Sequence, residues 1–484
     1  MDTAAMEYKR LAGDIITVLD LVDRDDQDND LFPLDTNDTR FTRNAERRVI
    51  PFVPVVQDFS FRGPANYGQR FTFDIGSLPC GDILLGTLVQ IKLNHWLDKT
   101  TLLNIASRNY TYDTPSDAFF FANSLGSCLI EKAELEINGV TIETIDGDFI
   151  YLFSSLFSQI NSQFGTSTDG LGLVSMIDLL NWKPYRNFPT EDGNIFCNLP
   201  FFFNRVRLRE SLPMIAIQEG TARIHITFRP FDQVVRQRRG YRDSCTSTPL
   251  SSTVSFNSGT ITKKVTDVIP DFEYVKLVTY GAYIDGQERN KMLRAPFEHI
   301  FREVQTFYFN EPLKYTVSKT SNDTITIQLP LEANHPLEEI VWFVRRTETA
   351  NNNEHTNYSS VLEREYDPTY NPFTPLLKRA VLQVNGTTLC DASEEYYRQL
   401  IAKKHRGGIV PYNRYIYGYT FAEHPSEHQP SGSLNASRLQ NIRLTLEVSP
   451  PKSIYNTGWE VKVFCIGLNW LRFENGICNK LFTD

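Results

Sequence analysis

Apolar and polar residues alternate in short runs from residue 52 onward. Eight short runs, most of them alternating, carry this pattern: "RFTFDI", "TLVQIKL", "KAELEI", "ARIHITF", "TITIQL", "EIVWFV", "RAVLQV" and "IRLTLEV". Gly, Pro, Asn and Asp separate them, as is typical of half-buried strands joined by turns. Helical segments do not alternate with the strands in the rhythm of a parallel α/β fold. We therefore predict an antiparallel all-β protein.

Helical periodicity is weak and confined to a few segments. The best of them, "DFIYLFSSLFSQI" and "SEEYYRQLIAKK", predict short helices in loops. Near the start, four apolar residues at helical spacing precede the acidic run "DRDDQDND", namely Leu11, Ile15, Leu19 and Val22. We interpret residues 1–50 as an N-terminal arm with a short amphipathic helix and a solvated linker, and a frayed terminus is the alternative.

One β-hairpin pattern occurs twice in the sequence. "AELEINGVTIE" contains Asn138-Gly139, and "AVLQVNGTTLC" contains Asn385-Gly386, 247 residues later. Asn-Gly favours the tight turn of a β hairpin. Each hairpin precedes an acidic, aromatic segment, with Asp148-Phe149 aligned to Glu395-Tyr396. The hairpin therefore points to an internal duplication.

Two further strand pairs occur in the same order as the hairpins. "FTFDI" from Phe71 aligns with "ITIQL" from Ile325 at an offset of 254 residues, and "IHITF" from Ile224 aligns with "IRLTL" from Ile442 at an offset of 218. Three collinear matches predict two copies of one all-β domain. We place the first at residues 51–265 and the second at 266–484. Each has about eight strands, which predicts two consecutive eight-stranded antiparallel jelly rolls.

Composition agrees with sheet and excludes some classes of protein. The chain has 484 residues, 33 Phe and 22 Tyr, and a net charge of −9. Aromatic residues suit pleated surfaces, whereas the negative charge argues against a surface built to bind phosphates. Seven scattered cysteines without a Cys-x-x-Cys pair indicate free thiols. We find no secretion signal and no apolar run long enough to span a bilayer.

The motifs of catalysis are absent from the sequence. It contains no phosphate-binding Gly-rich loop with Lys, no Gly-x-Ser-x-Gly and no His-Glu-x-x-His. His424 and His428 stand four residues apart, but Pro425 and Pro430 argue against the helix that a metal pair needs. We predict no catalytic, cofactor-binding or metal residues, no cofactor and no enzymatic activity.

Two sequence features have both a functional interpretation and one that assigns them no function. "RQRRGYR" at residues 236–242 has four arginines, which suit a phosphate backbone or an acidic partner, although a solvated loop explains them as well. Asn-x-Ser/Thr sequons begin at six positions: Asn37, Asn109, Asn322, Asn357, Asn385 and Asn435. Without a secretion signal they need not carry glycans.

Several segments resemble the major capsid proteins of nucleocytoplasmic large DNA viruses, of the iridovirus and phycodnavirus kind. "LPFFFNRVRLRESLPMIAI" at residues 199–217 is similar to the end of that family's first domain. "AEHPSEHQPSGSLNASRLQNIRLTL" at 422–446 is similar to its most specific motif. The residues that carry it are His424, Pro425, Gln429, Pro430, Ser431, Gly432, Asn435, Ser437 and Arg438. "NYGQRFTFDI", "DGQERNKM", "HIFREVQTFYFN" and "GLNWLRFENG" match further family segments.

The resemblance covers residues 51–476 and implies a structural role. A double jelly roll of this family implies a homotrimer with a pseudo-hexagonal outline that tiles the outer shell of an icosahedral double-stranded DNA virus. It implies location in the virion after synthesis and assembly in the host cytoplasm. The expected partners are further copies of the chain, neighbouring capsomers and minor capsid proteins beneath the shell. Residues 1–50 are the segment expected to contact the minor capsid proteins or an internal membrane. No direct genome binding is expected.

Two alternative functions fit part of the same pattern. A minor capsid paralogue would share every matched motif. A carbohydrate-binding jelly roll would share the fold, with exposed aromatic residues in one loop. The capsid motifs favour the first class over the second.

Overall fold

The computed structural model describes most of the chain from residue 52 onward. The described residues are 52–61, 63–76, 80–93, 118–122, 124–156, 194–205, 211–217, 220–239, 244–247, 253–255, 262–264, 271–284, 286–311, 324–362, 369–370, 372–406, 415–425, 429–449 and 458–482. The predicted arm at residues 1–50 and its amphipathic helix lie outside them. Residues 53–484 group as one compact unit by their backbone contacts.

Strands are the dominant element. In the first half they are β1 Phe52–Ser60, β2 Arg70–Asp74, β3 Ile83–Leu93, β4 Ala118–Phe121, β5 Ile130–Ile137, β6 Val140–Asp146, β7 Asn194–Asn198, β8 Ala222–Phe228, β9 Val235–Arg239, β10 Ser244–Ser247, β11 Thr253–Ser255 and β12 Thr262–Lys264. In the remainder they are β13 Phe272–Ile284, β14 Phe297–Glu311, β15 Ile325–Leu331, β16 Pro336–Arg346, β17 Leu377–Val384, β18 Thr387–Ser393, β19 Ile416–Thr420, β20 Leu434–Asn435, β21 Ile442–Val448, β22 Trp459–Glu474 and β23 Ile477–Lys480.

Helices are short and lie between strands. They are α1 Leu125–Leu129, α2 Gly147–Leu156, α3 Phe202–Arg205, α4 Gly286–Arg294, α5 Glu348–Asn351 and α6 Glu394–Arg406. Single 3-10 turns occur at Met214–Ala216, Phe231–Gln233 and Ala436–Arg438. The two segments with helical periodicity are α2 and α6, so that prediction is confirmed. No helix among the described residues is long and apolar enough to cross a membrane.

Each half of the chain forms a sandwich of two four-stranded sheets. In the first, the strand orders are β1-β13-β3-β7 and β2-β8-β5-β6. In the second they are β14-β22-β16-β19, extended by β20 and β23, and β15-β21-β17-β18. Two small additional sheets, β10-β9-β4 and β11-β12, accompany the first half. The prediction of an all-β protein with two consecutive jelly rolls is confirmed.

The sequence patterns located the alternating strands well. All eight runs lie on strands, and "ARIHITF" and "IRLTLEV" coincide with β8 and β21 from end to end. The predicted domain boundary after residue 265 stays a prediction. The strand that follows it, β13, is bonded between β1 and β3 in a sheet of the first roll.

Irregularities in the strand register occur at equivalent points in the two rolls. In the first hairpin the β5–β6 register shifts after Leu135, and in the second the β17–β18 register shifts after Leu382, again 247 residues later. A second shift lies opposite Gly281 in β13 and opposite Gly467 in β22. Bulges are local backbone features fixed by particular residues, so their repetition supports the duplication independently of side-chain pattern.

The register corrects two of the sequence alignments by two residues each. Ile224 pairs with Leu135, and its counterpart opposite Leu382 is Leu444, not Ile442. Along the same strand, Phe71 pairs with Ile226 while Ile327 pairs with Leu446, so Phe71 corresponds to Ile327 rather than Ile325. A shift of two keeps every side chain on the same face, which is why the alternation did not expose it.

The same registers reveal a strand pair that the sequence patterns missed. The Thr279 hydroxyl donates to the carbonyl of Gln57 at 3.2 Å, which sets β1 against β13. In the second roll Gln305 stands opposite Cys465 in the same way. "VQDFSF" at residues 56–61 therefore corresponds to "VQTFYF" at residues 304–309. The face formed by β1 and β13 is equivalent to the face formed by β14 and β22.

Candidate functional site: the junction between the two rolls

The weak metal candidate from the sequence gains no support. His424 is exposed and lies 3.9 Å from Glu423, while His428 and Glu427 are outside the described residues. No group of three or more metal-ligating side chains occurs within the part of the chain that the structure describes. Of the arginine-rich segment, residues 236–239 belong to β9, between β4 and β10.

The Gln-Pro-Ser-Gly stretch organises the backbone next to β20. The Ser431 hydroxyl accepts a hydrogen bond from the backbone N–H of His424 at 2.7 Å. The Ser437 hydroxyl accepts one from the N–H of His335 at 2.8 Å. Gly432 has φ +151, and a Cβ there would lie 2.9 Å from the carbonyl oxygen of Phe421. These residues therefore shape a loop rather than form a reactive site.

The described sequons divide into one buried and two exposed positions. Asn357 is buried, and its amide donates to Glu354 Oε2 at 2.7 Å and to the carbonyl of Val361 at 3.0 Å. Asn385 and Asn435 are exposed. Asn37, Asn109 and Asn322 lie outside the described residues. A glycan at Asn357 is incompatible with this fold because the amide is already enclosed and bonded.

The most concentrated chemistry lies where the first roll meets the second. Arg345 of β16 donates from Nη1 to Asp148 Oδ1 of α2 at 3.0 Å, and from Nη2 to Glu460 Oε1 of β22 at 2.6 Å. The Lys462 ammonium binds Asp148 and also Asp146 Oδ2, the latter at 2.9 Å. Asp148, Arg345 and Glu460 are buried. This cluster joins the start of a first-roll helix to two second-roll strands.

The balance of charge keeps the cluster ionised. Burial alone raises the pKa of the Asp148 carboxyl, but the positive charges of Arg345 and Lys462 outweigh it and hold that pKa well below its usual range. Burial alone lowers the pKa of Lys462, and the carboxylates of Asp148 and Asp146 reverse this, so its pKa is raised. Each charge is stable at the junction only because its partners are present.

A second ion pair lies deeper in the first roll and reaches the second. Arg205 of α3 binds Glu143 of β6, and both side chains are almost fully buried. The same guanidinium donates from Nη1 to the carbonyl of Arg302 in β14 at 3.0 Å. Burial raises the pKa of Glu143, with Arg205 opposing the shift. Arg205 thus connects β6 to the backbone of the second roll.

A loop of the second roll is bonded to the first roll beside these pairs. The Asn353 amide donates to the carbonyls of Asp232 and Val235 at 2.7 and 2.9 Å. His355 Nε2 lies 2.9 Å from the carbonyl of Gln233, so this nitrogen carries the proton. Burial and the nearby Arg229 lower the pKa of His355 to about 3. The ring is therefore neutral at pH 7 and fixed in one tautomer.

Aromatic contacts surround the charges. Phe149 of α2 packs on Phe464 of β22 with ring centroids 5.4 Å apart, and Phe202 of α3 packs on Phe301 of β14 at 5.0 Å. The turn at Asn138 adds a polar contact, because its amide donates to the carbonyl of Cys478 at 3.1 Å. The junction therefore combines buried ion pairs, tilted aromatic contacts and hydrogen bonds to the backbone, which favours one fixed arrangement of the rolls.

A partly open groove runs along the same boundary. It has a volume of about 410 Å³ and lies between residues 141–144 of β6 and residues 303–307 of β14, with Glu332, Asn334 and Lys480 completing its wall. Lys480 binds Glu303 across it. Of its charged lining residues, Lys480 pairs with Glu303, and Glu143 pairs with Arg205 outside the groove. The groove is the boundary between the edge strands β6 and β14.

The sequence patterns did not identify the junction residues as a site. Asp148 appeared only as part of the repeat, and Arg345 and Lys462 were not singled out. One signal was present in the sequence. Charged residues interrupt otherwise apolar strands in "IVWFVRR" and "WEVKVF". A charge at such a position is a buried charge that needs a partner.

Comparison with known proteins assigns the chain to a family. The family model described as large eukaryotic DNA virus major capsid protein matches residues 288–479, and the model of the major capsid protein N-terminus matches residues 40–259. The major capsid protein of Pyramimonas orientalis virus is 23% identical over 447 residues, covering 88% of this chain and 89% of that protein.

Solved structures show the same fold at low sequence identity. A chain of the quasi-atomic model of the PBCV-1 virus capsid matches with a TM-score of 0.60 and 17% identity, covering 92% of this chain and 100% of that one. The Faustovirus major capsid protein matches with a TM-score of 0.61 and 11% identity, covering 90% and 92%. With both halves matched by family models and the double roll shared, this chain belongs to the major capsid protein family of large eukaryotic DNA viruses.

Proposed function

We propose that the protein forms homotrimers that tile the outer shell of an icosahedral virus. The observation that carries this proposal is the presence of two equivalent eight-stranded rolls on one chain, fixed together by the buried junction. Three such chains supply six similar walls and hence a pseudo-hexagonal outline. A prism of this outline packs edge to edge on a surface with few gaps.

The junction gives such a building block the stiffness that a shell needs. Asp148 and Arg345 are buried in one hydrogen-bonded cluster, so a change in the angle between the rolls separates charges inside the protein. Breaking a buried pair costs about 3–5 kcal/mol. The two rolls therefore behave as one body when neighbouring capsomers press on them.

The remaining expectations concern partners and place. We propose neighbouring capsomers at the sides of the trimer and minor capsid proteins beneath it, with synthesis and assembly in the host cytoplasm. Residues 1–50 are proposed to contact minor capsid proteins or an internal membrane. We propose neither direct genome binding nor turnover of a substrate.

The oligomeric state tests the central claim. The full chain, purified with or without a viral assembly factor, is expected to have three times the chain mass by light scattering, and to form hexagonally packed arrays in electron micrographs. A chain that stays monomeric both alone and in an assembling infected-cell extract contradicts the proposal.

The role of the arm is tested separately. A chain lacking residues 1–45 is expected to form trimers but to incorporate poorly into complete shells. Complete shells built from the truncated chain contradict a role for the arm while leaving the trimer untouched.

A further inference from the structure

We propose that the outer face of β18 and α6 binds the outer face of β1 and β13 of a second copy of this chain, repeating between chains the junction that joins the rolls within one. The proposal rests on the proposed trimer and names the surfaces that build it. We call the first surface the acceptor face, defined by Leu389, Glu395 and Tyr396. We call the second the donor face, defined by Val56, Lys276 and Tyr280.

The acceptor face is the second-roll copy of a surface that is covered in the first roll. Ile142 and Phe149, at the junction, have 2% and 1% of their surface exposed. Their counterparts 247 residues later are Leu389 and Tyr396, with 43% and 49% exposed. The backbone around them is the same, down to the bulge after Leu135 and Leu382. The difference is that the second roll covers the first pair, and no described residue covers the second.

The donor face shows the same contrast from the other side. Val304 of β14 and Ile466 of β22 belong to the second-roll face that meets the first roll, and they have 8% and 4% of their surface exposed. Their first-roll counterparts are Val56 of β1 and Tyr280 of β13, with 57% and 41% exposed. Among the described residues, each roll thus buries one half of the junction and leaves these counterparts in the other half exposed.

Two open halves on one chain determine how copies can associate. The open halves differ from each other and match the two halves of the closed junction. Contacts of this head-to-tail kind generate rings when the rotation closes. A second copy is therefore the partner whose shape already fits, because the chain itself contains the closed form of the contact.

Three of the charged positions of the closed junction are also charged on the open halves. Glu395 occupies the position of Asp148, and Lys276 occupies the position of Lys462, which binds Asp148. Lys92 on β3 occupies the position of Arg345 on β16. A carboxylate on the acceptor face is thus matched by the Lys276 ammonium at the equivalent place on the donor face, whereas Lys92 already pairs with Glu273 of its own roll at 3.0 Å. Charge complementarity of this kind fixes partner and register.

The contact also covers strand edges. β1 and β18 stand at the edges of their sheets among the described residues, and both carry exposed apolar side chains. Exposed apolar edges promote uncontrolled pairing unless they are covered. In the trimer each is covered by the other.

A charge exchange between the two faces tests the contact. Glu395→Lys and Lys276→Glu are expected each to weaken the trimer on the order of tenfold, measured as the concentration at which light scattering shows dissociation. The double variant, which restores opposite charges in exchanged positions, is expected to recover most of the loss. Glu423→Lys makes the same charge change at an exposed loop outside both faces and is expected to leave the trimer unchanged.

A cross-link tests the same contact by geometry. Ile142 and Val304 line one groove at the closed junction, so their counterparts Leu389 and Val56 are expected to approach between chains. The variant Leu389→Cys with Val56→Cys is expected to give dimer and trimer bands on mild oxidation that disappear on reduction. Leu389→Cys alone is the matched control and is expected to give no such ladder.

The outcomes separate this proposal from the trimer itself. A wild-type chain that never trimerises overturns the proposed function and this contact with it. A stable wild-type trimer that tolerates both charge reversals and forms no cross-linked ladder overturns only the contact. The charge reversals could also leave the trimer intact but abolish binding of another capsid protein. That result assigns the two faces to the other protein and overturns the proposed contact between copies.

Discussion

At the scale of single residues, Asp148 is the position on which the junction depends most. It lies at the start of α2, buried, and accepts hydrogen bonds from the side chains of Arg345 and Lys462. Asp146 and Glu460 share these two cations but do not replace it, because each contacts only one of them. Removal of the Asp148 charge leaves two buried cations with less than their full complement of anions.

We predict that Asp148→Asn lowers the free energy of unfolding by about 3–5 kcal/mol at pH 7. Urea unfolding followed by tryptophan fluorescence measures it. The pKa of Asp148 is held below its usual range, so its stabilisation is complete above about pH 5 and is lost as pH falls further. The gap between wild type and variant should therefore narrow from pH 7 to pH 3. Asp391→Asn, at an exposed pair with Arg379, is the control and should change stability little.

Alanine substitutions at two glycines distinguish the cost of backbone strain from the cost of a steric clash. Gly386 has φ +83, and a Cβ there would meet nothing within 4 Å. Gly281 has an ordinary φ, but its Cβ would lie 1.7 Å from the carbonyl oxygen of Cys80. We predict that Gly386→Ala costs about 1–2 kcal/mol through left-handed strain alone. Gly281→Ala should lower the free energy of unfolding clearly more and should also reduce the soluble yield. Melting temperatures of the two purified variants compare their stabilities. Equal losses contradict this explanation.

At the scale of elements, the loop after α5 connects the rolls through a neutral histidine. His355 donates to the carbonyl of Gln233, and its pKa is lowered to about 3. An unfolded histidine titrates near pH 6.5. Below about pH 6.5 the histidine is protonated in the unfolded state but stays neutral in the folded state. The free energy of unfolding therefore falls as pH drops from about 6.5 towards 3.

We predict that the wild-type chain loses about 2 kcal/mol between pH 7 and pH 5 through His355 alone. His355→Gln keeps a donor for the Gln233 carbonyl but does not titrate, so its melting temperature should fall less over the same interval. His424→Gln, at an exposed position, serves as the control. If the His355 variant shows the same acid sensitivity as wild type, the histidine is not its source.

β22, on which none of the eight runs lies, shows how burial on both faces removes the alternation that marks a strand. β8 and β21 alternate because one face of the strand is less buried than the other, and both were located from end to end. β22 is buried on both faces over most of its length, since one face meets its own roll and the other meets the first roll. Such a strand has no period of two to detect. The junction that buries the second face of β22 also fixes the two rolls together, as the proposed function requires.

The site was less predictable than the fold for a related reason. Alternation reports which face of a strand is apolar, but not what a charge on that face will meet. Arg345 and Lys462 lie 197 and 314 residues from Asp148 along the chain, so they meet it only after the two rolls come together. The repeat alignment could place Asp148 over Glu395, yet it could not tell that one would be buried and the other exposed.

At the scale of the whole molecule, the chain connection between the rolls differs from a simple division at residue 265. β13 lies between β1 and β3 in the first-roll sheet, and it pairs with β3 along ten residue pairs. The two family models stop at residue 259 and resume at residue 288. We propose that the first roll ends after Ile284 and that α4 begins the passage to the second.

This boundary gives a test with two fragments. Residues 52–284 contain every strand of both first-roll sheets, whereas residues 52–265 lack β13 and leave β1 without its partner. Both fragments expose the same junction surface around Asp148, so that loss affects them equally. We predict that the longer fragment yields soluble protein with a protease-resistant core, and that the shorter one aggregates. If the shorter fragment resists protease as well as the longer, β13 is dispensable to the first roll and the boundary after residue 265 stands.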